Sequence, residues 1–284
     1  MKRHSVPRRG MALLAVLWVV AAMGLAVTGI VQMVRNEIKA AGMQRQILLA
    51  STKADAFILL ALQNMQTSPS EPGRNPQELM VKFEDEDSTV SVLPLNGLID
   101  INSAPVKLLA EMYRYAAALS QHEAQILAQS TQQTRQAKNA NGVQQNFDAT
   151  EDLLQVPGMT YNLYASLAEF VTADLRNGTG RVNVLAAPQG VIQILTGGNM
   201  ARAATLTAQR NADAKALDTS FIDPELVDMA SSSTLRLQTQ VALPSDGFLQ
   251  KSWLVYWAVD PRSGLPWRVI GKQQTVSRAT LSGG

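Results

Sequence analysis

The sequence predicts a mixed α+β protein carried on one long N-terminal helix, and three observations predict it. An uncharged apolar run near the N-terminus passes without a break into an amphipathic helical pattern. A strand-to-helix phrase occurs twice in the middle of the chain. Near the C-terminus, apolar residues alternate through three segments separated by turn signals.

The 284 residues include 25 Lys+Arg and 23 Asp+Glu, a formal net charge of +2. Four of the cations, Lys2, Arg3, Arg8 and Arg9, lie in the first ten residues, which leaves 21 basic against 23 acidic groups for the rest. That balance argues against a basic nucleic-acid binder. There is no cysteine, hence no disulfide, thiolate metal site or cysteine nucleophile. With only His4 and His122, a two-histidine metal site or a Ser-His-Asp triad has little to work with. No nucleophile-base pair marks the chain as an enzyme.

From Met11 to Val34 run 24 uncharged residues, which as a helix span roughly 36 Å and cross a bilayer. The preceding cations, with no acid among the first ten residues, keep the leader cytoplasmic and send the body outward. The run is longer than the apolar core of a secretory signal peptide. Beyond Arg35, the residues Ile38, Ile47, Leu48, Phe57, Ile58, Leu62 and Met65 fall on one helical face, with charges between them. The first proline after the span is Pro69, so one helix from about Met11 to Met65 is predicted. Gly24, Gly29 and Gly42 are the places where it would bend.

Next, Leu79 to Phe83, the acidic Glu84 to Asp87, and Thr89 to Leu93 predict a β-hairpin. A strand from Leu98 to Ile101 leads into Asn102-Ser103-Ala104-Pro105, where Asn102 or Ser103 would cap a helix. The phrase recurs 83 residues later: Gly97, Ile99, Asp100, Ile101, Ala104 and Pro105 match Gly180, Val182, Asn183, Val184, Ala187 and Pro188. In the second copy Leu185 and Ala186 replace Asn-Ser, which leaves its cap open.

Between the copies, Ser120 to Glu123 has capping-box spacing and opens a helix toward Gln133. Asp148 to Glu151 starts a short helix that breaks at Val156-Pro157-Gly158-Met159, and Tyr161 to Val171 forms another. Helix, turn, helix resembles a helix-hairpin-helix, a phosphate-holding unit. Yet no Lys or Arg lies between Asp148 and Asp174, against five acidic residues. Phosphate binding needs cations, so packing is the expected role. In the last third, a helix is predicted over Met200 to Arg210 and a short one at Asp223-Pro224-Glu225. Strands follow at about Thr234 to Leu243, Lys251 to Val259 and Trp267 to Val276, with Trp253, Trp257 and Trp267 as core or interface anchors.

The string Arg8-Arg9-Gly10-Met11-Ala12-Leu13-Leu14-Ala15 resembles a prepilin-type signal. That resemblance implies cleavage between Gly10 and Met11 by a prepilin peptidase and methylation of the new amine. Ala15 stands where pilins and most pseudopilins carry a glutamate, which there pairs with a neighbouring subunit's N-terminal amine. Together with Gly97 to Pro105, Glu151 to Leu154, Val156 to Met159 and the second Asn183/Ala187/Pro188 phrase, the chain is similar to type II secretion system protein K, a minor pseudopilin family.

The resemblance implies a pilin-like fold divided as leader 1-10, transmembrane helix 11-34, pilin-like helix and strands 35-104, α-helical insertion 105-175 and pilin-like part 176-284. It further implies a single-pass inner-membrane protein with a periplasmic body, at the tip of a pseudopilus whose assembly it primes. Its partners would be the I- and J-type minor pseudopilins, other pseudopilins and the prepilin peptidase, with no nucleic acid. The alternatives are a minor pilin of a type IV pilus or DNA-uptake machine, and an anchored periplasmic enzyme. Some members of the resembled family hold calcium in the helical domain. Calcium needs six to eight oxygens, and the insertion here lacks a dense acidic loop, so no metal ligand is assigned; Glu84 to Asp87 is read as a solvated turn.

Overall fold

A computed structural model describes residues 9–68, 72–137, 142, 146–173, 178–212, 217–244 and 246–278. Leader residues 1–8 and most of the 138–146 loop lie outside them. Helix α1 runs from Arg9 to Thr67, two residues beyond each end of the predicted helix. The predicted hairpin is β1, Gln77–Phe83, and β2, Glu86–Pro94, antiparallel with Phe83 opposite Glu86. Of the acidic run, Glu84 and Asp85 make the turn while Glu86 and Asp87 already belong to the second strand.

The C-terminal strands are β7, Thr234–Leu243, β8, Gly247–Tyr256, and β9, Arg268–Arg278. The middle strand starts earlier than predicted because a short turn after Leu243 brings Gly247 directly opposite it. All five strands form one antiparallel sheet in the order β1-β2-β7-β8-β9. Neighbours β2 and β7 are far apart in sequence. Between Pro94 and Thr234 the chain leaves the sheet, builds a helical unit, and returns to the adjacent position.

That unit contains two copies of one motif. In the first, β3, Ile99–Asp100, leads into α2, Val106–Ala116, and α3, Gln121–Gln136; after a 3-10 turn at Thr150–Gln155 and α4, Tyr161–Leu167, the chain closes with β4, Val171–Thr172, parallel to β3. In the second, β5, Val182–Asn183, leads into α5, Gln189–Leu195, and α6, Met200–Ala212, and closes with β6, Val227–Asp228, parallel to β5. The repeated phrase is therefore a true structural repeat.

The copies lean on each other reciprocally. A side chain at Gly97 would overlap the carbonyl of Ala186, and one at Gly180 would overlap the carbonyl of Ser103. Ser103 and Ala186 are equivalent positions, so each glycine makes room for the other copy's backbone. Gly180 also adopts φ +75°, which glycine alone takes at no cost.

Several local expectations are corrected. Neither Asn102 nor Ser103 caps α2; Pro105 holds the N-cap position with no side-chain hydrogen bond, as Pro188 does for α5. The missing Asn-Ser of the second copy therefore removes no cap. Asn102 instead exchanges hydrogen bonds with the backbone of Phe147, at 2.8 and 2.9 Å. The helix predicted to reach Val171 stops at Leu167, because Ile99 N–H takes the Phe170 carbonyl at 2.9 Å and draws Val171 into a strand. The short helix predicted at Asp223 to Glu225 is a turn, which places Leu226 O to accept from Val182 N–H at 2.9 Å. Ser120 and Glu123 do form the predicted capping box.

Two cores follow from this layout. Phe57, Ile58, Leu62 and Met65 of α1, with Ala50, Ala54 and Ala61 allowing close approach, bury against one sheet face. Trp253 and Trp267 are buried there, and Trp257 stacks on Trp267 with centroids 5.9 Å apart. The predicted apolar face of α1 is fully buried from Ala50 onward, with Ile47 half-buried against the same core, whereas Ile38 and Leu48 stay exposed. The second core fills the helical unit, from Leu95 to Leu226. Val182, Val191, Ile192, Leu206 and Leu226 contribute to it, so the helical packing continues beyond the predicted boundary at 175.

Candidate functional site

Among the described residues, helix α1 carries a long run of exposed large apolar side chains. Its apolar segment is long and hydrophobic enough to cross a membrane, with mean hydropathy 2.0 and none of that window buried by the rest of the chain. Trp18 and Leu25 are 75% and 76% exposed. An apolar stripe of this size requires lipid or other helices around it. Gly10, Met11 and Ala15 lie in the first turns of α1, and their side chains are outside the described residues.

Where α1 meets the sheet it is pinned by polar contacts as well as by packing. Lys251, buried in the middle of β8, reaches Asp55 at 2.7 Å and the Ser51 hydroxyl at 2.7 Å. Trp253 Nε1–H donates to Asp55 at 3.0 Å. A buried charge is tolerated only when paired and hydrogen-bonded. These contacts define which way α1 leaves the body.

The predicted helix-hairpin-helix is realised differently. Its first arm is the 3-10 turn Thr150–Gln155 and its second is the seven-residue α4. Val156 is buried and Met159 packs against the helical core, while Pro157 and Gly158 are exposed, Gly158 at φ +92°. Met159 N–H donates to Val156 O at 3.0 Å, which closes the turn on itself. Among the described residues from 148 to 173 there is no Lys or Arg. Among the described residues, no group of three or more His, Asp or Glu could hold a metal ion.

Two arginines, Arg135 buried and Arg210 half-buried, were not legible as functional groups in the sequence. Arg135 donates to the carbonyls of Ile101 at 2.9 Å and Ala104 at 2.8 Å. Arg210 donates to the carbonyl of Ala187, the equivalent of Ala104, at 2.6 Å. Burial lowers the pKa of both; the Asp100 carboxylate partly offsets this for Arg135. Each helical hairpin thus returns a cation to the carbonyl that ends its own strand phrase. Their role is to hold the repeat.

A cleft of about 670 Å³ lies between the sheet face opposite α1 and the helical unit. Its floor includes Ser91, Gln238, Gln250, Ser252 and Thr275, and its wall includes Asp148, Glu151 and Glu169. Nothing in the sequence pointed to it, since its wall comes from the insertion and its floor from strands on either side of that insertion.

No protein-family profile and no curated protein matches the sequence. Among solved structures, a chain of the GspK-GspI-GspJ complex from the enterotoxigenic Escherichia coli type 2 secretion system aligns with a TM-score of 0.55 at 13% identity, over 84% of this chain and 99% of that one. The two share one fold. The match covers nearly all of the compared chain, so sheet and helical unit recur together. The mixed helix and sheet architecture expected from the resemblance to minor pseudopilins is thereby established.

Proposed function

We propose that the chain is a minor pseudopilin of a type II secretion system, anchored in the inner membrane by α1 with its body in the periplasm. The observation that carries this reading is the joint presence of an uncovered apolar α1 and the fold of a GspK-GspI-GspJ complex chain. It acts by assembly and not as an enzyme. By analogy with that complex its partners are I- and J-type minor pseudopilins, with other pseudopilins below them.

Ala15 supports a position at the tip. An ionised carboxylate inside an apolar helix bundle costs several kcal/mol unless a cation meets it. A subunit with nothing above it needs no such carboxylate, and one whose span is uncharged from Met11 to Val34 is suited to lead the others out of the bilayer. The helical unit, inserted between β2 and β7, adds bulk that a subunit stacked above would meet. Priming of assembly follows from that position.

The reading also entails processing. Prepilin peptidase cuts between Gly10 and Met11, and mass spectrometry of the mature chain finds a methylated Met11. Gly10→Val leaves the precursor uncut but inserted. The deciding experiment is co-purification of the full-length, detergent-extracted chain with I- and J-type minor pseudopilins. Retention of both is expected; loss of both together with DNA binding would favour a minor pilin of a DNA-uptake machine.

A further inference from the structure

We propose that the cleft between the outer sheet face and the helical unit binds an extended, lysine- or arginine-bearing segment of a soluble client protein. The proposal rests on the secretion reading above, because that reading supplies the soluble client. The cleft opens on the face opposite α1.

Its floor is a set of hydrogen-bonding rows. Ser91, Gln238, Ser252 and Gln273 stand directly opposite one another across four strands, and Gln240, Gln250 and Thr275 form the next row. Four strands span about 14 Å, the length of about four extended residues. Amides and hydroxyls both donate and accept, so such rows pair with the backbone of an extended segment whatever its sequence. A floor made only to face water needs no overhanging wall.

The wall sets the charge of the occupant. Asp148, Glu151 and Glu169 project exposed carboxylates along it. On the sheet side, Arg236 marks one end of the floor and is itself engaged. Lys272 directs its ammonium over the Trp253 ring at 3.7 Å, toward the α1 face. An occupant with basic side chains toward the wall is thus electrostatically matched, and an acidic one is repelled.

The test uses the full-length chain in detergent and a fluorescent ten-residue peptide of Ser, Thr and Lys, with the same peptide carrying Glu for Lys as comparison. Fluorescence anisotropy should show binding of the lysine peptide that weakens with salt, and at least about tenfold weaker binding of the glutamate peptide. Glu151→Gln with Glu169→Gln should weaken the lysine peptide about threefold to tenfold without changing the melting temperature. Gln238→Ala with Gln250→Ala should weaken it while keeping the charge preference. Equal binding of both peptides, no binding at millimolar concentration, or indifference to the carboxylate variants would overturn the proposal. Capture of I- and J-type partners, measured on the same samples, separates the two failures: partners held but peptide ignored sinks the cleft alone, whereas partners lost sinks the secretion reading.

Discussion

The two copies of the strand-to-helix unit share a backbone path but not a set of side chains, and the contrast separates what the motif requires from what it tolerates. Both keep the glycine, the polar residue that bonds its own chain two positions on, the Ala-Pro entry and a returning arginine. Asp100 accepts from Asn102 N–H at 3.1 Å, and Asn183 accepts from Leu185 N–H at 2.9 Å. The first copy then adds polar groups that the second lacks. Ser103 donates to Asp100, and buried Tyr113 bonds Thr131 at 2.7 Å; Ala186 and Thr196 stand at the places of Ser103 and Tyr113. Backbone geometry is the shared requirement, and the buried polar partners differ: the first copy pairs Tyr113 with Thr131 across two helices, whereas Thr196 at the equivalent place bonds only the nearby carbonyls of Gln193 and Asn199.

The glycines offer the strongest way to break this comparison. Gly97→Ala and Gly180→Ala should each destabilise the protein by about 3 kcal/mol, since backbone must move to admit the methyl group. Gly180→Ala should be worse by about 1 kcal/mol because of its left-handed φ. Chemical denaturation measures both, and a neutral effect at either position would refute the reciprocal contact.

The arginines sharpen it. Arg135→Met leaves two buried carbonyls unpaired and should cost about 3 kcal/mol, whereas Arg210→Met leaves one and should cost about 1 kcal/mol. Equal losses in denaturant melts would show that the copies use their arginines alike.

Tyr113 makes the first copy sensitive to alkali. Burial pushes its pKa up to about 12 from an ordinary value near 10. The folded state holds the proton more tightly than the unfolded one, so this contribution is intact below pH 10 and is lost as pH rises toward 12. Tyr113→Phe should flatten the fall in melting temperature over that window. An unchanged slope would contradict the assignment.

The smallest effect belongs to the α3 cap, which α6 does not share in that form. Ser120→Ala should cost about 1 kcal/mol at neutral pH. Hydrogen bonds from the Ser120 side chain and backbone hold the Glu123 carboxyl below its usual range, so the capping box is complete above the unfolded carboxylate pKa and weakens as pH falls through the folded one. The gap between variant and parent should therefore narrow in acid, read from thermal melts at pH 7 and pH 3.

Sequence by itself determined the elements whose causes are local. The apolar span, the stripe through Phe57 and Met65, the capping box at Ser120, the hairpin around Glu84 and the three C-terminal strands each follow from a period or a capping residue within a few positions. The repeated strand-to-helix phrase was legible as well. Only tertiary structure decided that β2 pairs with β7 across the whole insertion, that two-residue parallel strands end α4 early, that Arg135 and Arg210 return to equivalent carbonyls, and that a cleft opens behind the sheet. Each of these depends on groups distant in sequence meeting in space to satisfy buried backbone polar atoms. No local pattern encodes that meeting, because an unpaired carbonyl costs nothing until the fold takes it out of water.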